Sequence, residues 1–265
     1  MTDMNDSRQV AEQYASDSQL NTRLKLHQKH STSKVPVSDW FFAQYAIEKP
    51  CRILELGCGN ASQWTENARK LPEGSLLVLS DLSQGMVDAT WAKFKDCPNV
   101  IVQRIDIQDI PFANESFDIV IANHMLYHVP DLNRALQEVK RVLTDKGTFF
   151  ASTNGSGGMH RYLHEKLSEF NPRVNAFQTG WNFTLQNGRQ VLQPFFGGVR
   201  LVEYEDSLRI TETQDLIDWI HSSIAITGIE ESDLDGLFEF FEAIRLQDGA
   251  ICIPKEMGMF ISQKQ

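Results

Sequence analysis

A carboxylate and two glycines between residues 51 and 61 have the types and the spacing that nucleotide-like ligands require. The apolar run 51–56 contains Glu55 and is followed at once by Gly57-Cys-Gly59. This pattern predicts a buried parallel strand that ends in a tight loop, whose backbone can approach a ligand closely. Glycine lacks a Cβ, so Gly57 and Gly59 can adopt backbone angles that other residues avoid.

The same segment argues against a dinucleotide as the ligand. The dinucleotide fingerprint has a third glycine, and Ser62 stands at that position. Glu55 would repel a diphosphate but could hold a cationic amino group, directly or through water. We therefore expect a ligand with an adenosine-like end and an amino-acid-like end. The alternatives are an NAD-linked oxidoreductase, which these two residues disfavour, and an ordinary strand–turn–helix corner.

Asp81 ends a second apolar run, 75–81, and lies 24 residues after Gly57. An acid about 20 residues beyond the glycine loop binds the ribose diol in this fold class. A carboxylate suits that role because it accepts hydrogen bonds from both hydroxyls. The alternative is that Asp81 caps a helix that starts near Ser83.

A third run, 99–105, ends at Asp106, and its position predicts contact with an adenine ring. Asp106 could accept from the exocyclic amine, and Ile107 would offer a backbone N–H and an apolar side. The alternative makes Asp106 and Asp109 ordinary loop acids in an acidic chain.

A fourth strand is predicted over 116–123, and a helix follows it. The apolar positions of that helix are spaced as one face, and Gly147 is expected to close it. They are Leu132, Leu136, Val139, Val142 and Leu143. A fifth strand is predicted over 148–152.

Together these segments resemble the class I S-adenosylmethionine-dependent methyltransferases, in particular the small-molecule, type-11-like group. Glu55-Leu-Gly-Cys-Gly59 resembles the first motif of the family, and 81–86 is similar to the second. Asp106-Ile107 occupies the adenine position, and 117–131 resembles the fourth-strand block. The resemblance covers about residues 50–153. One departure is Ala61, where many members have a third glycine.

The resemblance implies an α/β fold, with a Rossmann-like doubly wound sheet that is mostly parallel and ends in an antiparallel hairpin. N-terminal helices and a helical insertion complete it. The implied cofactor is S-adenosyl-L-methionine, with S-adenosyl-L-homocysteine as product. The residues implied to bind the cofactor are Glu55, Gly57, Cys58, Gly59, Asp81, Leu82, Asp106, Ile107 and Asn123.

Two regions lie outside the core and are expected to select the substrate. Residues 1–48 are interpreted as a helical lid, in which Tyr14 and Arg23 are further candidates for cofactor contact; packing for Tyr14 and solvent exposure for Arg23 are the alternatives. Residues 49–265 form the methyltransferase domain, with its core at 50–153. Segments 154–197 and 207–247 are interpreted as elaborations over the ligand crevice. There Trp181 and Phe183 could cage a cation, or could be core residues.

Methyl transfer from a sulfonium is an in-line displacement, so the protein mainly orients the acceptor and excludes water. A base is optional, and His128 is the leading candidate because histidine titrates near neutral pH. His124 and Tyr127 are weaker candidates, and a hydrogen-bonding strut is the alternative role for His128. The two histidines lack an evident third ligand, so no metal site is predicted.

The net charge and the cysteine content of the chain limit the classes of substrate and partner that we expect. The net charge of −10 disfavours nucleic acid and favours a neutral or cationic small-molecule substrate. The four cysteines form no CxxC pair, and packing is their expected role.

No apolar run approaches the length of a membrane span, and the first residues lack a signal-peptide pattern, so a cytoplasmic protein is expected. A non-catalytic or regulatory S-adenosylmethionine-binding protein, and a methyltransferase acting on RNA or protein, remain alternatives. The acceptor and the oligomeric state stay open.

Overall fold

A computed structural model describes residues 18–174, 176–177 and 181–264. Its centre is a seven-stranded sheet of order β3-β2-β1-β4-β5-β9-β6. The pairs among β1–β5 are parallel, whereas β9 runs antiparallel to both β5 and β6. The strands are β1 (Arg52–Leu56), β2 (Leu76–Asp81), β3 (Val100–Arg104), β4 (Phe117–Asn123), β5 (Leu143–Asn154), β6 (Phe196–Glu203), β7 (Ser207–Ile210), β8 (Ile251–Pro254) and β9 (Met257–Lys264).

Helices flank the sheet and fill the segments between strands. In the described ranges they are α1 (Ser18–His30), α2 (Val37–Tyr45), α3 (Gln84–Phe94), α4 (Leu132–Val142), α5 (Gly158–Phe170), α6 (Gly188–Leu192), α7 (Thr213–Ser222), α8 (Ile224–Thr227) and α9 (Leu234–Asp248). None of these helices combines the length and the apolar character that crossing a bilayer requires. The predicted fold class is confirmed.

The strands are apolar on both faces because helices cover both sides of the sheet. On β1, Leu54 and Leu56 pack in one cluster together with residues of α4. Ile53 packs on the opposite face with Phe41 of α2 and with Trp64. Alternate residues of a strand point to opposite faces, and this alternation separates the two clusters.

Residues 204–256 leave the sheet between its two antiparallel strands, β6 and β9. They contain α7, α8 and α9 and a separate two-stranded sheet in which β7 pairs with β8. Strand β8 therefore belongs to the insertion and does not join the main sheet. A third apolar cluster packs these elements against α5 and against Leu26 of α1.

The expected end of α4 is wrong. The helix stops at Val142, and Leu143 is extended, with φ −70° and ψ 139°. Leu143 pairs with Phe117 at the start of β4 and is fully buried. Strand pairing at this buried position overrides the helical spacing. In the insertion, α7 and α8 are separated at Ser223.

Helix α1 contacts both the loop after β1 and the inserted segment. At its first turn, Asn21 Oδ1 accepts from Asn60 Nδ2 at 2.8 Å. At its last turn, His30 Nε2 lies 2.8 Å from Asp215 Oδ2 on α7. The helix therefore links the glycine loop to the insertion.

Asp206 holds the turn that follows α1. Its side chain is only 1% exposed and forms an ion pair with Lys255. Its Oδ1 accepts from Ser31 Oγ at 2.7 Å and from the backbone N–H groups of Thr32 and Ser33, each at 3.1 Å. Burial alone would raise the pKa of Asp206, but the hydrogen bonds from Lys255 and Ser31 outweigh it and hold the pKa below its usual value.

We expect Asp206→Asn to lower the free energy of unfolding by about 3 kcal/mol, because it leaves the charge of Lys255 buried and unpaired. Chemical denaturation measures this change. The exposed neighbour Glu205 supplies the control, Glu205→Gln, which should be nearly neutral. A double variant with Lys255→Met should recover part of the loss. Equal stability of Asp206→Asn and the control would contradict the anchoring role.

Candidate functional site

Four polar side chains lie at the carboxyl ends of adjacent parallel strands. Glu55 is in β1, Asp81 ends β2, Asn123 ends β4, and Asp106 follows β3. In the sheet, β1 lies between β2 and β4, and Glu55 pairs in register with Leu79 and Ile121. Open α/β sheets bind ligands at this edge, where the strand order reverses.

The loop after β1 requires glycine at Gly57. Its φ is +67°, and an added Cβ would lie 2.8 Å from Cβ and Cγ of Met125. Gly59 also has a positive φ, +57°, and an added Cβ there would lie 3.1 Å from Cδ2 of Leu20 on α1. Cys58 between them donates its backbone N–H to Ser80 O at 2.8 Å, which fixes the loop to the end of β2. Ala61 also adopts a left-handed conformation, with φ +51°.

Asp81 joins the two loops that follow β1 and β2. Its Oδ2 accepts from the backbone N–H of Gly59, and its Oδ1 accepts from that of Ser83, each at 2.9 Å. The cap of α3 is Ser83, whose Oγ accepts from Met86 N at 3.5 Å, so the alternative of Asp81 as the cap is wrong. Burial raises the pKa of Asp81, and the backbone hydrogen bonds oppose that shift.

Glu55 is buried, with 2% of its surface exposed. Trp64 Nε1 donates to one carboxylate oxygen, and Gln63 Nε2 donates to the other at 2.6 Å. Asn123 Nδ2 lies 3.4 Å from the same oxygen as Gln63. Burial raises the pKa of Glu55 to about 7, in spite of these hydrogen bonds. The carboxyl is therefore close to half-ionised at neutral pH.

Asn123 completes this cluster and leaves one acceptor open. Its Nδ2 donates to Tyr45 Oη at 2.7 Å and to Gln63 Oε1 at 3.1 Å. Its Oδ1 is buried and has no hydrogen-bond partner among the described residues. A buried carbonyl oxygen without a donor is costly, so this atom suits a ligand that brings an N–H or an ammonium.

The residues assigned to adenine differ in what they expose. Asp106 Oδ1 accepts from the backbone N–H of Gln108 at 2.8 Å. The Ile107 side chain is 5% exposed and packs in the core, so its apolar side does not line an open surface. Leu82 is 37% exposed, just beyond β2. Cys58 is half-buried, and burial raises the pKa of its thiol well above its usual value, which favours packing over thiolate chemistry.

The histidines after β4 have different surroundings. His128 ends the short turn Leu126–His128, and its ring lies 4.6 Å from that of Tyr127. His124 has φ +51°, and its Nε2 is 3.3 Å from Met257 Sδ. Burial lowers the pKa of His124 to about 4, with further effects of Lys255 and His160. A base with that pKa is weak at neutral pH, which disfavours His124 in that role.

Of the two lid candidates, Tyr14 lies outside the described residues. Arg23 is half-buried on α1, and its Nε donates to Gln19 O at 3.3 Å. Helical spacing puts Arg23 on the same face as Leu20 and His27. Arg23 thus lies between the glycine loop, which Leu20 contacts, and the residues around His27.

Comparison with known proteins assigns the chain to a family. A family model described as a methyltransferase domain matches residues 54–151. The demethylmenaquinone methyltransferase of Staphylococcus carnosus is 33% identical over 195 residues, which cover 73% of this chain and 68% of that protein. The chain belongs to the class I S-adenosylmethionine-dependent methyltransferases.

Other matches are shorter or more distant. The putative methyltransferase YrhH of Bacillus subtilis is 31% identical over 112 residues, and the match spans 42% of this chain and 62% of YrhH. The crystal structure of the [4+2]-cyclase SpnF covers 97% of this chain and 96% of its own, with a TM-score of 0.62 and 14% identity. That likeness concerns the fold alone, because one fold can serve different reactions.

Three residues of the candidate site of this methyltransferase are not indicated by the sequence patterns. Tyr45, Gln63 and Trp64 surround Glu55, and the Tyr45 ring stacks on that of Trp64 at 6.0 Å. Gln63 and Trp64 follow the glycine loop within a few residues, so the position of that loop in the sequence points to them. Tyr45 comes from α2, and its position depends on how that helix docks.

We expect the effect of Glu55→Gln on the free energy of unfolding to be about 2–3 kcal/mol more favourable at pH 8 than at pH 5. The folded pKa of about 7 exceeds the usual 4.5, so ionisation of Glu55 destabilises the fold progressively between about pH 4.5 and pH 7. Glutamine avoids that charge. Its amide N–H2 also replaces an oxygen that accepts from Trp64 or Gln63, and this cost is the same at both pH values. Denaturation at both pH values measures the difference; a gain that does not depend on pH would contradict the assigned cause.

Proposed function

We propose that this chain binds S-adenosyl-L-methionine at the carboxyl edge of β1–β4 and transfers its methyl group to a small molecule. The observation that carries the proposal is the pair formed by Glu55 and Asn123. A buried carboxylate lies beside an amide oxygen that has no donor within the described ranges, and the two suit an ammonium group. A dinucleotide offers no such group at this point.

The other polar residues at the strand ends are proposed to bind the rest of the cofactor. Asp81 accepts from the ribose hydroxyls, since each of its oxygens keeps a lone pair beyond the backbone bond it already accepts. Asp106 accepts from the adenine amine, and the exposed Leu82 contacts the ring. Gly57, Cys58 and Gly59 provide backbone close to the amino-acid end, and Arg23 of α1 lies above them.

The bound cofactor would supply a methyl group on a sulfonium sulfur, which departs as a neutral thioether when an electron pair of the acceptor takes the methyl. The chain has to orient the acceptor and exclude water. Helix α1 and the insertion cover this edge of the sheet through the contacts of Asn21, His30 and Asp206. His128 takes the proton where the acceptor must lose one.

A small molecule is the proposed acceptor. The relative with the broad match is named for demethylmenaquinone, which is a small molecule. The net charge of −10 also opposes a nucleic acid substrate.

If Glu55 holds the cofactor ammonium, the affinity for S-adenosylhomocysteine depends on pH. Binding needs ionised Glu55, whose pKa in the free protein is about 7. Affinity should therefore rise by about tenfold per pH unit between about pH 5.5 and 6.5, and level off above about pH 7. Calorimetric titration measures this dependence.

Methylthioadenosine is the matched control, because it has the adenosine end but no amino-acid end. Its affinity should be nearly flat over the same pH range. The ammonium assignment fails if the two ligands show the same pH dependence.

Asp81→Ala should weaken S-adenosylhomocysteine binding by about tenfold to a hundredfold, because two hydrogen bonds to a charged acceptor are lost. The exposed Asp88 on α3 supplies the control variant, Asp88→Ala, which should bind as the unmodified protein does. Thermal unfolding of both variants shows whether the loops stay folded. Unchanged affinity in a folded Asp81→Ala protein would overturn the ribose assignment.

A further inference from the structure

A continuous row of aromatic rings runs from the end of β4 to α7. Neighbouring ring centroids along it are separated by 4.6, 4.6, 4.6, 4.9 and 6.4 Å. We call this set the aromatic row, and in order its members are His128, Tyr127, Trp181, His160, Phe177 and Trp219. It starts five residues after Asn123 in the sequence and ends in the insertion. Neighbouring rings are tilted by 36–61°, so a planar molecule would stack on individual members of the row rather than on one flat face.

Two polar atoms at the row lack hydrogen-bond partners among the described residues. Trp219 is 5% exposed, and its indole Nε1–H has no acceptor. His27 Nδ1 of α1 is also buried without a partner. A buried donor or acceptor left unpaired destabilises a fold by about 1–3 kcal/mol. Such atoms therefore mark a place where a ligand can supply the missing bond.

The charged and titratable groups that act on His27 are Lys255, Asp206, His124 and His160. Burial lowers the pKa of His27 to about 3, with Lys255 next in effect, and lowers those of His124 and His160 to about 4. All three imidazoles are thus neutral near pH 7. The carboxylate of Asp206 is already committed to Lys255 and to the turn at Ser31.

This arrangement favours an anion over a cation. A carboxylate would accept from Trp219 Nε1 and from the imidazoles, and it would stabilise their protonated forms. A cation could not accept from Trp219 Nε1, and the carboxylate of Asp206, which acts on His27 among the described groups, is already paired with Lys255. Phe183, the other ring proposed to form a cation cage, is fully buried and packs against Phe260. The net negative charge of the whole chain therefore does not predict the charge that this site prefers in a ligand.

A metal ion does not account for the three histidines. The described residues contain no group of three His, Cys, Asp or Glu side chains that could hold a metal ion. The neighbours of His160 are rings, with Trp181 at 4.6 Å and Phe177 at 4.9 Å, which suits an organic ligand.

We propose that the aromatic row binds the methyl acceptor, and that this acceptor is a planar, unsaturated or aromatic molecule that carries a carboxylate. The ring system lies on Tyr127, Trp181 and Phe177, and the carboxylate is anchored by His27 and Trp219. This inference rests on the proposed function, because it places the acceptor beside the cofactor edge of the sheet. Helix α1 then serves both ligands, through Leu20 and Arg23 at one end and His27 at the other.

The test is calorimetric titration of the full chain saturated with S-adenosylhomocysteine. The probes are three skeletons with matched end groups: cinnamate, 2-naphthoate and indole-3-acetate, each with its amide and its corresponding primary amine. At least one carboxylate should bind about tenfold more tightly than its amide and its amine, with proton uptake near pH 7. Preference for the amines, equal affinity across end groups, or no carboxylate binding at millimolar concentration overturns the proposal.

The binding of S-adenosylhomocysteine in the same sample separates the two claims. If it binds and the carboxylates show no preference, the acceptor proposal alone fails. If it does not bind, the proposed function fails and this inference falls with it.

Trp219→Phe tests the anchor with the tightest carboxylate of the panel. The variant keeps an aromatic ring and removes the buried indole N–H, so affinity should fall about tenfold, whatever the smaller ring costs in melting temperature. Trp91→Phe on the exposed face of α3 is the matched control and should alter neither quantity. A purely structural role for Trp219 would lower the melting temperature and leave affinity unchanged, and that result overturns its assignment.

Discussion

The burial of Glu55 is the constraint on which the rest of the site depends. Its carboxylate lies in a strand at the centre of the sheet, where ionisation is unfavourable, and Trp64, Gln63 and Asn123 supply the donors that make it tolerable. A protein that needed only stability would place an apolar residue there. The buried acid and the open Asn123 oxygen are the two features behind the proposed preference for a cation beside an adenosine-like group.

The second constraint is that one helix, α1, contacts both the glycine loop and the insertion. Helix α1 contacts the glycine loop through Leu20 and Asn21, and the insertion through His30. The Asp206–Lys255 pair fixes the turn that follows it. In the proposed arrangement, the cofactor and acceptor sites therefore share one helix, which contacts the glycine loop at one end and the insertion at the other.

Much of the cofactor edge could be predicted because its signals are local. A strand, a glycine loop and an acid follow one another within a few residues, and parallel strands bring their ends together. The end of α4 could not be predicted, because pairing of Leu143 with β4 outweighs helical spacing. The aromatic row joins residues from the end of β4, α5 and α7 that are far apart in sequence. The sequence indicates Tyr127 only as a polar candidate after β4 and does not single out Trp219, and their packing alone places them in one row.

The glycine loop and Glu55 are proposed to select an adenosine with an amino-acid end over a dinucleotide. This selection is measured by parallel calorimetric titration of the full chain with S-adenosylhomocysteine and with NADH. We expect saturable one-to-one binding of S-adenosylhomocysteine and no heat of binding with NADH. Binding of NADH without binding of S-adenosylhomocysteine would contradict the proposed roles of Glu55, Asn123 and the loop from Gly57 to Gly59.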